Sequence, residues 1–335
     1  MKAVFDGISV RCGRDGQVLY EQGGFGRREK DGVRFAPHEA LYLLHRQKIE
    51  VDGYDFDRLL GVFAQQANVL RSYLVYRDIR ERGYAVQTGP HDFRIFKRGQ
   101  RPGKGESIYL VRVVSERDPI LFTELIREVT TANNMRKQYV LAVVDDEDEL
   151  TYYEIKIQNL PEVSPPAIYP LVTGVPAGKS IMVKIPPGSA FEQAWFGSRL
   201  DDSRVMFSQL EALYLAGEGV LSVTANGLQV TADNIFLRAC ESDPEFAYKA
   251  TVYTDLRKKG YVPKTGYKFG HHFRVYSGAR VHSEMLVHAV QTGAGLPMST
   301  ISRSVRLAHS VKKKMLFGCV YTSGIQYVEF ARIKL

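Results

Sequence analysis

Hydrophobic and polar positions along this chain change their spacing several times, and the changes recur. HFRVY (residues 272–276), EMLVHAV (284–290), MLFGCVY (315–321) and IQYVEFARI (325–333) are short and apolar, with partial alternation, and predict strands. The runs AVFDGISV (3–10) and KSIMVKI (179–185) have the same strand-like character, each preceding a segment with helical spacing that carries EALYL. A second helix ends near Gly83 and again near Gly260, and another, roughly Ser299 to Lys314, sets Val305, Ala308 and Val311 on one side. These elements predict a mixed α/β fold in which each half has a central mixed sheet.

The recurrence has a fixed interval. VYRDIRERGY (75–84) aligns with VYTDLRKKGY (252–261), EALYLL (39–44) with EALYLA (211–216), and SIYLVRVV from Ser107 with SEMLVHAV from Ser283. Three ordered matches separated by 172 to 177 residues imply an internal duplication. Between the copies, residues 158–178 hold Pro161, Pro165, Pro166, Pro170 and Pro176 and read as an extended connector. The expected organisation is a small N-terminal α/β subdomain (1–68) and a second α/β domain (69–157), the linker (158–178), then another small N-terminal subdomain (179–244) and a final α/β domain (245–335).

Composition narrows the class. With 335 residues and 44% hydrophobic content the chain can build a core for each unit. Its longest apolar runs are strand-sized, which predicts neither a membrane span nor a signal peptide. A net charge of +8 and a pI near 9.2 point to a polyanionic partner, nucleic acid being the usual one. Cys12, Cys240 and Cys319 are too few and too far apart for a disulfide framework or a metal site, and read as free thiols of a cytoplasmic protein.

Candidate chemistry sits between Gly260 and Lys314. Tyr276, His282 and Lys313 fall where two successive strands and the end of a helix could bring them together. RNA is cut by its own 2′-hydroxyl when a base takes that proton, an acid protonates the leaving 5′-oxygen and a cation stabilises the phosphorane. An imidazole with an ordinary pKa near ~6.5 suits acid–base work, and a lysine supplies fixed charge. A phenol, with an ordinary pKa of about 10, needs a nearby cation to serve as base. The first copy reads TGPHDFRIF, with Phe96 in the place of Tyr276 and Glu106 in that of His282, while Lys137 aligns with Lys313. That copy lacks the acid–base pair.

GYVPKTGYKFGHHFRVY, VHSEMLV and RLAHSVKKKMLF resemble the signature of the archaeal tRNA-splicing endonucleases, and the resemblance covers the chain as two tandem family units. It implies Tyr276 as general base, His282 as general acid and Lys313 as the residue stabilising the transition state; His271, His272 and His309 do not fall on the family's catalytic histidine. Of Lys312, Lys313 and Lys314 the family alignment favours Lys313, seven residues after Arg306 and hence on nearly the same helix face. Tyr276 and His282 are six positions apart, a shorter connection than the family leads one to expect. The resemblance further implies a homodimer cutting precursor tRNA at a bulge-helix-bulge without metal or other cofactor. The first copy's acidic run Asp145, Asp146, Glu147, Asp148 and Glu149 would then dock into a basic pocket of a catalytic unit, and Arg306 and Arg332 would hold a splayed bulge base.

Two other readings fit parts of the chain. One is a metal-dependent nuclease using Asp145–Glu149 as ligands, against which stands the alternating direction of consecutive carboxylates at a hairpin tip. The other is a non-catalytic RNA-binding subunit, a description that suits the first copy but not the second.

Overall fold

A computed structural model describes residues 1–89, 91–164, 167–278, 282–291 and 293–335. It divides into two compact units. One comprises Met1–Ile157 with Gly295–Val305 and Phe330–Leu335; the other comprises Gln158–Ala294 with Arg306–Glu329. Each is a mixed α/β structure with mixed sheets.

In the first unit a five-stranded sheet is built from Lys2–Phe5, Val10–Cys12, Arg27–Glu29, Gly32–Phe35 and Glu50–Val51, with the helix Pro37–His45 between the last two of these in the chain. The run 3–10 is therefore two strands, because Asp6 accepts from the Ile8 and Ser9 amides and turns the chain between them. A second set of strands, Val86–Thr88, Phe93–Phe96, Ser107–Ser115 and Gln138–Val144, follows the helix Val69–Glu81. Ser107–Ser115 and Gln138–Val144 run parallel, and the helix Phe122–Asn134 makes the crossover between them.

The second unit repeats this plan. Val172–Ala177, Ser180–Lys184, Ser198–Arg199, Arg204–Phe207, Leu221–Ala225 and Leu228–Val230 form a six-stranded sheet beside the helix Gln209–Gly217. After the helix Phe246–Lys258 come Tyr261–Thr265, Phe273–Ser277 and Met285–Gln291, each antiparallel to the next, with Lys314–Tyr321 parallel to the last.

The duplication extends to single hydrogen bonds. Asp78 accepts from the Tyr152 hydroxyl and Asp255 from that of Tyr327, each at 2.7 Å. Arg80 donates to the Tyr76 hydroxyl and the Gly23 carbonyl and stacks 3.9 Å over Phe25; Arg257 does the same with Tyr253, the Ala194 carbonyl and Phe196. Glu39 and Glu211, the glutamates of the two EALYL segments, each accept a glycine amide, Gly26 and Gly197, and the amide that opens their helix. These polar side chains were conspicuous in the sequence because they are fixed parts of the framework.

Two expectations change. The helix predicted to reach Lys314 runs from Met298 to Ser310; Lys312 adopts a left-handed conformation (φ +55) and the Lys313 amide bonds back to the Ala308 carbonyl at 2.8 Å, a helix-ending pattern. Lys313 thus lies past the helix, and its spacing from Arg306 says nothing about a shared helix face. The proline-rich stretch also contains a strand, Val172–Ala177. Its partner on one side, Leu221–Ala225, pairs only with Val172–Gly174, so Pro176 sits where that edge asks for no amide donor. Pro165 and Pro166 of the same stretch lie outside the described residues.

Candidate functional site

The strand Phe273–Ser277 carries Tyr276 opposite Val262, and Phe96 takes the same place in the first copy, its amide bonding to the Ala85 carbonyl. Tyr276 is only 7% exposed. Its ring lies 5.0 Å from that of Trp195, tilted by 60°, and the Arg274 guanidinium lies 5.9 Å from its centroid. His282 is exposed at the entry to Met285–Gln291. Directly after it, the Ser283 carbonyl accepts from Lys313 Nζ at 2.6 Å.

Backbone registers relate these positions. Val275 pairs with Met285, and Met285 with Lys314; the Glu284 amide donates to the Val275 carbonyl and the Glu284 carbonyl accepts from the Lys314 amide. Continuing by one residue places the Tyr276 and Lys313 backbones on either side of Glu284, roughly 10 Å apart across two strand spacings. The Glu284 carboxylate itself accepts from the Ser277 hydroxyl at 2.7 Å.

His282 and Lys313 open onto one cleft of about 1370 Å³, together with Tyr261, His309 and Lys312. Tyr276 is not among the residues lining it. The structure therefore groups the imidazole and the ammonium, with the phenol set behind them under the Trp195 indole. An ammonium, an imidazole and a cleft of this size can take an anionic backbone such as a phosphodiester.

The lysine contact is common to both copies. Lys137 Nζ donates to the Ser107 carbonyl at 2.8 Å, Arg136 is left-handed (φ +56), and the Lys137 amide bonds to Ala132. Glu106, exposed, precedes Ser107 as His282 precedes Ser283. The lysine's position is thus set by the fold, while the residues that could move protons differ.

His271, which is buried, and His272 form a separate group with His288, both of the latter half-buried, and the His288 ring stacks 4.1 Å from that of His272. The His272 Nδ1 accepts from the Ala289 amide at 3.0 Å, a place where the first copy uses the Asp92 carboxylate and the Val113 amide. Burial holds all three imidazoles down at about 4. Arg306 is exposed on the helix Met298–Ser310, at the start of the second unit's segment Arg306–Glu329, and Arg332 is exposed in the first unit's segment Phe330–Leu335.

The acidic run tips the hairpin between Gln138–Val144 and Leu150–Gln158. Asp145 Oδ1 accepts from the Glu147 and Glu149 amides, Asp148 is left-handed, and Asp146 pairs with Arg117. Glu147, Asp148 and Glu149 are exposed. Among the described residues no group of three or more His, Cys, Asp or Glu side chains is placed to hold a metal ion, and no helix is long and apolar enough to cross a membrane. The three cysteines are free.

Trp195 was not anticipated. Its signal was available: Gly24-Phe25-Gly26 aligns with Trp195-Phe196-Gly197, and the exchange of glycine for the chain's single tryptophan is the sharpest difference in that segment.

Comparison with known proteins finds two family profiles, each matched twice. The tRNA intron endonuclease N-terminal domain matches residues 1–60 and 173–236, and the tRNA intron endonuclease catalytic C-terminal domain matches 69–152 and 246–327. The chain is 37% identical over 332 residues to a tRNA-splicing endonuclease of Methanococcoides burtonii, covering 95% of each protein. It is 36% identical over 351 residues to that of Methanosarcina acetivorans, covering 100% of each, and 33% identical over 353 residues to that of Haloarcula marismortui, covering 99% of each.

Proposed function

The chain belongs to the tRNA intron endonuclease family, and from that premise we propose that it excises introns from precursor tRNA by metal-independent cleavage at bulge-helix-bulge junctions. Tyr276 takes the proton of the ribose 2′-hydroxyl, the 2′-oxygen forms a bond to phosphorus, and the bond from phosphorus to the 5′-oxygen breaks. His282 gives its proton to that leaving oxygen, and Lys313 holds the added negative charge. The products carry a 2′,3′-cyclic phosphate and a 5′-hydroxyl, with no water consumed. The single observation that carries this reading is that His282 and Lys313 open onto one cleft, while Tyr276 lies on the strand paired with the one that follows His282.

The lysine is oriented by a carbonyl, so its charge faces the cleft mouth without a carboxylate partner among the described contacts. Arg306 and Arg332 are each proposed to stack on unpaired bulge bases. The acidic tip, with Glu147, Asp148 and Glu149 turned to solvent, is proposed to dock on a basic surface of a second copy, giving a homodimer with two active sites for two cleavage points. Action on precursor tRNA places the enzyme in the cytoplasm.

The test is cleavage of a bulge-helix-bulge RNA in excess EDTA with analysis of the product ends. Full activity in chelator, cyclic phosphate at the 3′ end, and strong slowing in His282→Ala and Tyr276→Phe with retained RNA binding support the assignment. Activity abolished by EDTA and restored by magnesium would exclude it.

A further inference from the structure

Trp195 stands in a backbone conformation that side-chain-bearing residues rarely adopt, with φ +60. The helix Ala190–Gln193 ends there. The Trp195 amide bonds to the Glu192 carbonyl at 2.9 Å and the Phe196 amide to the Phe191 carbonyl at 2.8 Å, an ending whose left-handed residue is ordinarily glycine. The first copy does use glycine. After the helix Gln17–Gly23, Gly24 (φ +64) bonds to Tyr20 and Phe25 to Leu19, and Gly26 and Gly197 two residues on are left-handed in both copies. One copy thus takes the unstrained residue and the other keeps a tryptophan against the backbone preference.

The surroundings show what the exchange accompanies. A Cβ on Gly24 would meet Pro102 Cδ at 2.6 Å and Arg101 Cβ at 3.2 Å, atoms of the long connection that leaves Phe96. That connection takes ten positions from Phe96 to Glu106, and its counterpart only six from Tyr276 to His282. In the second copy the residue at this place is Trp195, and its neighbour is the ring of Tyr276.

The rest of the indole is available. Trp195 is 38% exposed and lines two clefts. One, of about 650 Å³, is also walled by Tyr169, Phe196, Tyr214 and Tyr261. The other, of about 250 Å³, includes Arg199 and Lys264, each paired with a carboxylate, Glu192 and Glu211. A wall of aromatic faces next to the proposed general base matches an unstacked nucleobase.

We propose that Trp195 is a nucleobase-stacking residue of the substrate site: it receives one unpaired base of the RNA on its indole face and so positions the attached ribose before Tyr276. The proposal rests on the splicing-endonuclease reading above, and deepens it by naming where a base is held. It also explains why strain is tolerated here, since glycine would end the helix equally well but offer no face to stack on.

The chain's single tryptophan makes the test direct. A bulge-helix-bulge RNA with 2′-deoxyribose at the cleavage positions binds without being cut. Its saturating addition is expected to quench Trp195 emission, and an abasic substitution at the stacked nucleotide to restore it. In parallel, cleavable RNAs with each bulge base removed in turn are compared on wild type, Trp195→Gly and Trp195→Phe. One position is expected to cost the wild type about 5- to 100-fold in KM, to cost Trp195→Phe less, and to cost Trp195→Gly under about twofold, because the partner is already gone. Trp195→Phe keeps an aromatic ring and so guards against loss of fold in the glycine variant. If wild type cuts the RNA but every base-removal penalty is the same in all three proteins, or bound RNA leaves emission unchanged, the stacking role is overturned while the splicing reading stands. A wild-type protein that neither binds nor cuts the RNA overturns both.

Discussion

Lys264→Gln separates the two copies at one ion pair. Lys264 Nζ lies 2.8 Å from Glu211 Oε1, with side chains 21% and 7% exposed. Burial pushes the Glu211 carboxyl up; the Lys264 charge and hydrogen bond, with the Ser208 and Gly197 amides, outweigh it and hold the group below its ordinary value. At the aligned position of the first copy stands Gln87, and there burial wins, so that the Glu39 carboxyl is raised despite its own bonds to Ala36 and Gly26. Breaking a buried pair costs about 3 kcal/mol or more. Here Glu211 keeps its donors at Gly197, Ser208 N and Ser208 Oγ, each at 2.9 Å, and a glutamine amide can still donate. About 2 kcal/mol is therefore expected, which lowers the melting temperature of a chain of this length by about 3 °C.

The sign with pH follows from the direction of the shift. A carboxyl depressed in the folded state adds stability above its unfolded pKa and loses it as pH falls through the folded value. The gap between wild type and Lys264→Gln should be full at neutral pH and shrink on descending through the carboxylate range, where Glu211 in the variant takes up a proton as Glu39 does. Thermal unfolding of both proteins from pH 7.5 to 4.5 measures it. A gap that does not change over that range, or no gap at pH 7.5, would refute the argument. Because Glu211 Oε1 also holds the Gly197 amide two residues from Trp195, a modest rise in KM for RNA should accompany the loss of stability.

Lys137→Met and Lys313→Met should each lower stability by about 1–2 kcal/mol, since both delete the same contact to a serine carbonyl, whereas only Lys313→Met should slow RNA cleavage. Calorimetry and single-turnover cleavage report the two effects, and equal slowing by both variants would remove Lys313 from the chemistry. The His271, His272 and His288 cluster, depressed by burial to about 4, should cost stability as pH falls from about 6.5 to 4, because the unfolded chain binds protons there that the folded one refuses. His288→Phe should flatten that acid limb in a pH series of melting curves, with Glu245 and Lys249 left in place beside His272. Neutralising Glu147, Asp148 and Glu149 to the amides should shift the molar mass measured by light scattering from two copies toward one; an unchanged mass would remove the acidic tip from assembly.

Much of the architecture was legible because the duplication repeats polar residues that the fold holds in buried hydrogen bonds. The acid of VYRDIRERGY and VYTDLRKKGY survives as the acceptor for Tyr152 or Tyr327, and the EALYL glutamate as the cap of a helix and a glycine turn. The helix end was not legible. Val311 and three lysines continue helical chemistry, and the stop depends on Lys312 entering a left-handed conformation that its side chain does not announce; Arg136 does the same in the first copy. The strand Val172–Ala177 was hidden by Pro176, which is harmless because pairing with Leu221–Ala225 stops at Gly174. In the acidic run, charge drew attention to all five residues alike, yet Asp145 is spent inside the turn and only those beyond it face outward.

The two copies act as a subtraction. Lys137 and Lys313 make one contact in one geometry, so the fold alone accounts for where the lysine sits, and its presence carries no information about chemistry. What remains after subtraction includes Phe96 for Tyr276, Glu106 for His282, Gly24 for Trp195, and a connection of ten positions for one of six. These are linked rather than scattered. The Phe96 connection packs Pro102 onto Gly24, and the second copy instead sets a tryptophan ring against Tyr276. The proposed acid–base pair, an exposed aromatic face and a shortened connection therefore change together around one strand edge, while the helix caps and the tyrosine–aspartate bonds beneath stay the same. Framework residues would be expected to track the shared bonds; residues that meet a substrate would be expected to track the exchanges. Trp195 belongs with the second set on this criterion, for the same reason that Tyr276 and His282 do.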